Sequence, residues 1–143
     1  MTIKYVVMIQ CEKSRRRCCG LACSESFYER NGFFEGVDYP HGTRYVAFTC
    51  GGCPGTNTAV MLANFAKRLA KLNGAAKDEI VVHLSSCMAT HNFHHDRCAY
   101  IDDIKKLIAD AGYANVVEGT YKSRKTQRLR EEGVYRDYKK PEQ

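Results

Sequence analysis

Short apolar runs, each followed by a turn signal and a helix-like pattern, constrain the fold of this chain most strongly. Runs rich in β-branched residues cover residues 3–9, 44–49 and 79–84, and a shorter run covers 115–119. Helical patterns cover residues 18–30, 58–72 and 102–111. Strands that are apolar almost throughout are typical of a sheet covered on both faces. The alternation predicts an α/β protein, a three-layer sandwich around a mostly parallel sheet of flavodoxin-like or Rossmann-like type.

Length and composition restrict the class of protein further. The 143 residues correspond to one ordinary domain, and no apolar run approaches the ~20 residues that a membrane-spanning helix needs. The apolar start of the chain is too short for a secretion signal, and no small-residue cleavage site follows it. We therefore expect a cytoplasmic protein that does not bind membranes. Its eight cysteines are expected to be free thiols or metal ligands.

The positive charge of the chain is concentrated at its C-terminal end. Residues 122–143 contain eight basic and four acidic residues, so they carry +4 of the net +6. The sequence therefore predicts a domain over residues 1–121 and a basic C-terminal extension over residues 122–143. We expect the extension to be solvated and weakly helical, because it has no sustained apolar period. It contains no recognisable nucleic-acid motif, so nucleic-acid binding is expected to be weak at most. The sequence does not indicate a protein partner.

The cysteines lie where the predicted strands end. Cys11 follows the first strand, Cys50 and Cys53 follow the second, and Cys87 follows the third. In a parallel sheet these ends meet at the edge where open α/β folds bind ligands. Three further cysteines lie in the segments that lead away from that edge: Cys18, Cys23 and Cys98. Thiols from separate parts of the chain are therefore expected to converge on one region.

The convergent thiols indicate metal binding or redox chemistry. The segment Cys50-Gly51-Gly52-Cys53 has the CxxC spacing at which two thiols bind one metal ion, and the same spacing serves a thioredoxin-type dithiol. The other convergent thiols favour a metal. Zinc is the first candidate and an iron–sulfur cluster the alternative. The predicted ligands are Cys11, Cys18, Cys23, Cys50, Cys53, Cys87 and Cys98.

Several of these motifs together resemble the CGGC domain family, a group of small proteins with many cysteines and histidines. The segment 50–53 is the naming motif, Cys11-Glu12 and Cys87 fit the family pattern, and residues 18–23 fit its Cys-x-Gly-x-x-Cys. Two family histidines are missing here, one after Cys98 and one at Tyr121. The resemblance covers about residues 1–121 and implies a metal-binding protein. Because these histidines are missing, ligation by cysteines alone is favoured over mixed ligation by cysteine and histidine.

A histidine-rich tract over residues 91–98 offers further ligands. His94 and Cys98 are four residues apart, which is a workable ligand spacing if the tract is helical. A polar surface loop explains the three histidines His91, His94 and His95 equally well, so both interpretations stay open.

A second hypothesis is catalytic and concerns the loop after the first strand. Cys11 and Arg17 satisfy the pattern Cys-x5-Arg of low-molecular-weight phosphatases and arsenate reductases, in which a thiolate attacks phosphorus or arsenic. The loop contains no glycine, however, and its long arginines hinder the backbone from forming a phosphate cradle. No carboxylate pair and no Ser-His-Asp set is evident. The sequence therefore leaves open whether the protein is an enzyme.

Overall fold

The computed structural model describes residues 2–138, which form an α/β fold on a four-stranded sheet. The strands are β1 (Tyr5–Gln10), β2 (Arg44–Thr49), β3 (Ile80–Leu84) and β4 (Val116–Glu118). The helices are α1 (Glu12–Arg15), α2 (Leu21–Glu29), α3 (Asn57–Leu72), α4 (Ser86–Ala89), α5 (Ile101–Asp110) and α6 (Arg124–Glu131). Short 3-10 turns cover Gly32–Phe34 and Lys77–Glu79. None of the helices in this part of the chain is long and apolar enough to cross a membrane.

The sheet is parallel throughout, with the strand order β2-β1-β3-β4. Met8 of β1, for example, lies opposite Ala47 of β2 and opposite His83 of β3. This order is that of a doubly wound fold of the flavodoxin-like type, so the predicted α/β class is confirmed. Because the strands are parallel, their C-terminal ends all lie at one edge of the sheet.

Helices cover both faces of the sheet. Val7 of β1 packs in one core with Leu62 of α3 and Ile104 of α5. Met8, the next residue, points to the opposite face and packs in a second core with Phe27 of α2. Successive side chains of a strand alternate between faces, so a strand buried on both sides is apolar at nearly every position. The run of apolar residues in β1 is explained by this three-layer arrangement.

The first predicted helix, over residues 18–30, is shorter than expected. The chain forms the single turn α1, then leaves the helical conformation and enters α2 only at Leu21. Gly20 precedes α2 with a φ of +83°, a left-handed conformation that interrupts a right-handed helix and that glycine adopts without steric cost. Cys18 and Cys19 therefore lie in a non-helical segment between the two helices.

A buried histidine joins the sheet to the loop after β4. His83 Nδ1 donates to the carbonyl oxygen of Gly119 at 2.9 Å, and its Nε2 accepts from the Tyr39 hydroxyl at 2.8 Å. The ring also stacks on Phe34 at a centroid distance of 4.4 Å. Burial lowers the pKa of His83 from 6.5 to about 4, since the charged imidazolium loses its hydration.

The free energy of unfolding is expected to fall as the pH drops from about 6.5 to about 4. In this window the imidazole of the unfolded chain binds a proton and the buried His83 does not, so acid favours unfolding by about 3 kcal/mol. Urea unfolding of the wild type, His83→Gln and His41→Gln between pH 7.5 and 4 measures this loss. The pH dependence should persist in His41→Gln, where an exposed histidine is replaced, and shrink in His83→Gln. Equal pH dependence in the two variants contradicts the prediction.

The C-terminal extension contains a helix, and it packs onto the loop that follows α4. Arg130 of α6 is buried and donates to the carbonyl oxygen of His91 at 2.8 Å. Beyond the helix, Tyr135 stacks on the His91 ring with centroids 4.5 Å apart. Up to Tyr138 the extension therefore contacts the rest of the protein, while most of its residues are exposed to solvent. Residues 139–143 lie outside the described residues.

Candidate functional site

Cysteines from separate chain segments lie at the C-terminal edge of the sheet. Cys11 directly follows β1, Cys50 and Cys53 follow β2, and Cys87 lies in α4 just after β3. A cleft of about 500 Å³ is lined by Cys11, Cys53 and Cys98. Cys50 is buried in the adjoining core, with Cys87 and Cys98 packed against the same core. All eight cysteines of the chain are free thiols.

The thiols are close enough for their charges to interact. Burial is the main cause that raises the pKa of Cys98, and the negative charges of Cys53, Cys11 and Cys50 raise it further. Three of these thiols line the same cleft and Cys50 lies in the core beside it, so they occupy one region of the sheet edge. The four thiols therefore form one cluster at the sheet edge, hereafter the edge cluster (Cys11, Cys50, Cys53 and Cys98).

Cys11 is paired with a histidine from a distant part of the chain. Its Sγ lies 3.3 Å from Nε2 of His95, and the hydroxyl of Ser14 is equally close to that nitrogen. The other ring nitrogen, Nδ1, lies 2.6 Å from the carbonyl oxygen of Asp96. A carbonyl oxygen only accepts hydrogen bonds, so Nδ1 carries the proton of the neutral ring and Nε2 accepts. His95 is therefore oriented to take a proton from the Cys11 thiol.

Cys87 is a second thiol in contact with Cys11. The backbone N–H of Cys11 and the hydroxyl of Ser14 lie near its sulfur and favour its thiolate form. The Ser85 hydroxyl lies 2.9 Å from the same sulfur. Burial raises the pKa of Cys87, and these hydrogen bonds offset part of that effect. The Cys87 thiol therefore stays protonated beside Cys11.

Two of the predicted ligands lie away from the cleft. Cys18 and Cys23 line a second, smaller cavity of about 150 Å³, which Cys87 also borders. The sulfur of Cys23 lies 3.2 Å from the hydroxyl of Thr120. Neither Cys18 nor Cys23 lines the cleft beside Cys11. Six of the seven cysteines predicted as ligands are therefore divided between two cavities, and the seventh, Cys50, is buried in the adjoining core.

The histidine-rich tract forms an irregular loop and no helix. Residues 91–98 are not helical, so the four-residue spacing of His94 and Cys98 does not correspond to one face of a helix. His94 lines the cleft, and its ring packs against Phe93 at 4.1 Å between centroids. The sequence pattern alone does not distinguish His95 from His91 and His94. Its partner Cys11 is 84 residues away, so no signal in the neighbouring residues identifies the contact.

The loop that carries His95 is fixed on both sides. Asp96 accepts hydrogen bonds from the guanidinium of Arg136 at 3.2 Å and from the Tyr138 hydroxyl at 3.0 Å. Arg97 forms an ion pair with Glu118 of β4 at 2.5 Å. These contacts hold the backbone on either side of the carbonyl group that orients the His95 ring. The C-terminal extension therefore contributes to the geometry of the site.

The phosphatase-type hypothesis receives no support from the loop after β1. Cys11 and Arg17 do line the same cleft. However, the backbone N–H of Arg15 is bonded to the Cys11 carbonyl, and those of Arg17 and Cys18 are bonded to the Ser14 carbonyl. A phosphate cradle needs loop amides that point at the ligand. These three amides are already engaged within the loop.

The donor types at the edge fit a thiophilic metal, whereas their arrangement does not fit a preassembled site. Cysteine thiolates are the usual ligands of structural zinc and of iron–sulfur clusters. Within residues 2–138, no group of three or more His, Cys, Asp or Glu side chains is arranged to hold an ion. The Cys11 sulfur and the His95 imidazole are instead hydrogen-bonded to each other.

The fold and the site define a parallel α/β protein with a cluster of thiols at the ligand-binding edge of its sheet. The family model of the CGGC domain matches residues 5–121, which is most of the chain. The chain therefore belongs to the CGGC domain family, in agreement with the resemblance of its motifs. Membership of this family suggests a cysteine-rich metal-binding protein and specifies no metal. No curated protein and no solved structure matches the chain significantly.

Proposed function

We propose that the protein is a thiol–disulfide oxidoreductase whose reactive thiol is Cys11. The observation that carries this proposal is the 3.3 Å contact between Cys11 Sγ and Nε2 of His95, whose tautomer is set by the Asp96 carbonyl. The thiolate is the nucleophilic form of cysteine, so a proton acceptor at this position activates Cys11. The CxxC spacing of Cys50 and Cys53 predicts a different redox pair, which does not include Cys11.

The reaction consists of two thiol–disulfide exchanges. In the first, the Cys11 thiolate attacks one sulfur of a disulfide R–S–S–R and forms a mixed disulfide. The old S–S bond breaks, and its electron pair leaves with RS⁻, which takes the proton that His95 received from Cys11. In the second, a neighbouring protein thiol attacks the Cys11 sulfur, forms an intramolecular disulfide and passes its proton to the second RS⁻. The substrate gains two electrons, the protein loses two, and an external dithiol reductant restores both protein thiols.

Cys87 is our candidate for the thiol that resolves the mixed disulfide. Its sulfur lies near the backbone N–H of Cys11, and both residues belong to the same core. Because burial raises the pKa of Cys87, its thiol does not compete with Cys11 for the first attack. It becomes the attacking group only when Cys11 has formed a disulfide next to it.

Replacing His95 by glutamine is expected to slow mixed-disulfide formation at Cys11 by roughly 10- to 30-fold at pH 7. An unassisted cysteine thiol is only about 3% ionised at this pH, and glutamine accepts no proton. The rate should return toward the wild-type rate near pH 10, where the thiolate forms without a base. Single-turnover kinetics with an aromatic disulfide, followed by peptide mass spectrometry at Cys11, measures this pH profile.

His94→Gln is the matched control for this experiment. His94 lines the same cleft, and its ring packs against Phe93. Its replacement should leave the rate at Cys11 within about twofold of the wild type, as expected for a group that takes no part in proton transfer. A His95→Gln variant with the wild-type rate and pH profile disproves the role of His95. A parallel loss in both variants shows a general disturbance of the loop.

The second candidate function is binding of zinc or an iron–sulfur cluster by the same thiols. It is supported by family membership and by the location of the four thiols of the edge cluster in one region of the sheet edge. In this case the ligands are drawn from the seven predicted cysteines, and the edge cluster supplies the first four. Binding would require these side chains to rearrange around the ion.

Metal analysis of protein purified without oxygen tests the second candidate. A metal-binding function predicts zinc, or iron with acid-labile sulfide, at about one site per chain. The double variant Cys50→Ser/Cys53→Ser should then lose the metal and melt at a lower temperature, whereas Cys19→Ser should keep both properties. Metal-free protein, or retained metal and an unchanged melting temperature in the double variant, contradicts this function for the Cys50–Cys53 segment.

A further inference from the structure

The cleft beside Cys11 carries two positive charges without ion-pair partners. Lys13 and Arg17 line this cleft with Cys11, and both side chains are exposed. No ion pair within residues 2–138 includes either side chain. Burial is the main cause that lowers the pKa of His94, and the nearby guanidinium of Arg17 lowers it further.

Other charged groups of the cleft are neutralised by their neighbours. Asp96 is paired with the guanidinium of Arg136 at 3.2 Å. Arg97 on the same wall is paired with Glu118 at 2.5 Å. The excess charge of the cleft is therefore positive, and it comes from the two cations of the wall that also carries Cys11.

We infer that the cleft binds a small disulfide that carries carboxylate groups. This inference rests on the proposed reaction of Cys11 with disulfides. The volume of about 500 Å³ is that of a site for a small molecule. Cations beside the reacting sulfur attract an anionic substrate. They also stabilise the negative charge that develops on the leaving thiolate. The same charges repel a disulfide that carries ammonium groups.

Three small disulfides of different charge test this inference. Dithiodipropionate is anionic, hydroxyethyl disulfide is neutral and cystamine is cationic. The rate of adduct formation at Cys11 is measured for each, and is divided by the rate of the same probe with 2-mercaptoethanol to remove differences in intrinsic reactivity. At about 10 mM ionic strength the anionic probe should exceed the cationic probe by about 10-fold or more. Raising the salt concentration to about 0.5 M should remove most of this preference.

Charge-matched double variants identify the cations responsible. Lys13→Gln/Arg17→Gln should lose the preference for the anionic probe. Arg124→Gln/Lys125→Gln removes the same amount of positive charge from α6, outside the cleft. This variant should keep the preference for the anionic probe. Equal wild-type rates for the three probes overturn the substrate class and leave the proposed function intact. A preference that survives in Lys13→Gln/Arg17→Gln overturns the assignment of the cations, and no adduct at Cys11 with any probe refutes the proposed function itself.

Discussion

Replacement of Cys11 by serine is expected to lower the rate of reaction with a disulfide by about 100-fold or more, because the thiolate is the nucleophile. The serine hydroxyl preserves the size of the side chain and its hydrogen bond to His95, but it does not exchange with a disulfide. Thiol release under single-turnover conditions measures the rate, and peptide mass spectrometry identifies the modified cysteine. Cys19→Ser is the matched control, since Cys19 is exposed and does not line the cleft.

Cys87→Ser separates the two exchanges of the proposed reaction. This variant should form the mixed disulfide at Cys11 at the wild-type rate and then accumulate it, since the resolving thiol is missing. In the wild type the adduct should decay to a Cys11–Cys87 disulfide. A wild-type rate in Cys11→Ser contradicts the proposed function. An intramolecular disulfide that still forms in Cys87→Ser assigns the resolving step to another thiol.

Replacement of Gly119 by alanine is expected to destabilise the protein by about 3 kcal/mol or more, combining backbone strain with overpacking. Gly119 follows β4 with a φ of +125°, a conformation that residues with a side chain rarely adopt. An added Cβ would lie 2.4 Å from the ring of Phe33. The carbonyl of Gly119 also accepts the hydrogen bond from buried His83, so a backbone shift would weaken that contact as well.

Gly36→Ala is the control that isolates the contribution of the backbone. Gly36 has a φ of +75°, and an added Cβ there meets no atom within 4 Å. Its replacement should cost only about 1–2 kcal/mol, the usual penalty of a left-handed conformation. Urea unfolding of both variants gives the two losses. Equal losses contradict the packing argument at Gly119, because they leave no energetic effect for the contact with Phe33.

The strands could be predicted closely from the sequence. β2 occupies residues 44–49 as predicted, and the first strand runs over Tyr5–Gln10 where residues 3–9 were expected. The reason is local: β1 and β3 are buried along most of their length and are therefore mainly apolar, and turn residues delimit the strands. The break before α2 was not predictable from hydrophobic spacing, because it depends on the left-handed conformation of Gly20.

The location of the thiols followed from topology, whereas the partner of the reactive thiol did not. Cys11 and Cys53 come after parallel strands, so both reach the same sheet edge. His95 lies in a loop without periodicity, and nothing in its neighbouring residues distinguishes it from His94. Its contact with Cys11 joins residues 84 positions apart. Such a contact depends on how the loop is held and not on sequence spacing.

The amino-acid sequence by itself determined the class of fold and the edge of the sheet at which the chemistry is concentrated. Both follow from short-range hydrophobic patterns and from the order of strands and helices. Only the tertiary structure decided that Cys11 meets an imidazole, that Cys18 and Cys23 line a separate cavity, and that the basic extension packs against the His95 loop. These arrangements depend on long-range hydrogen bonds and side-chain packing between irregular segments, whose conformations no local pattern specifies.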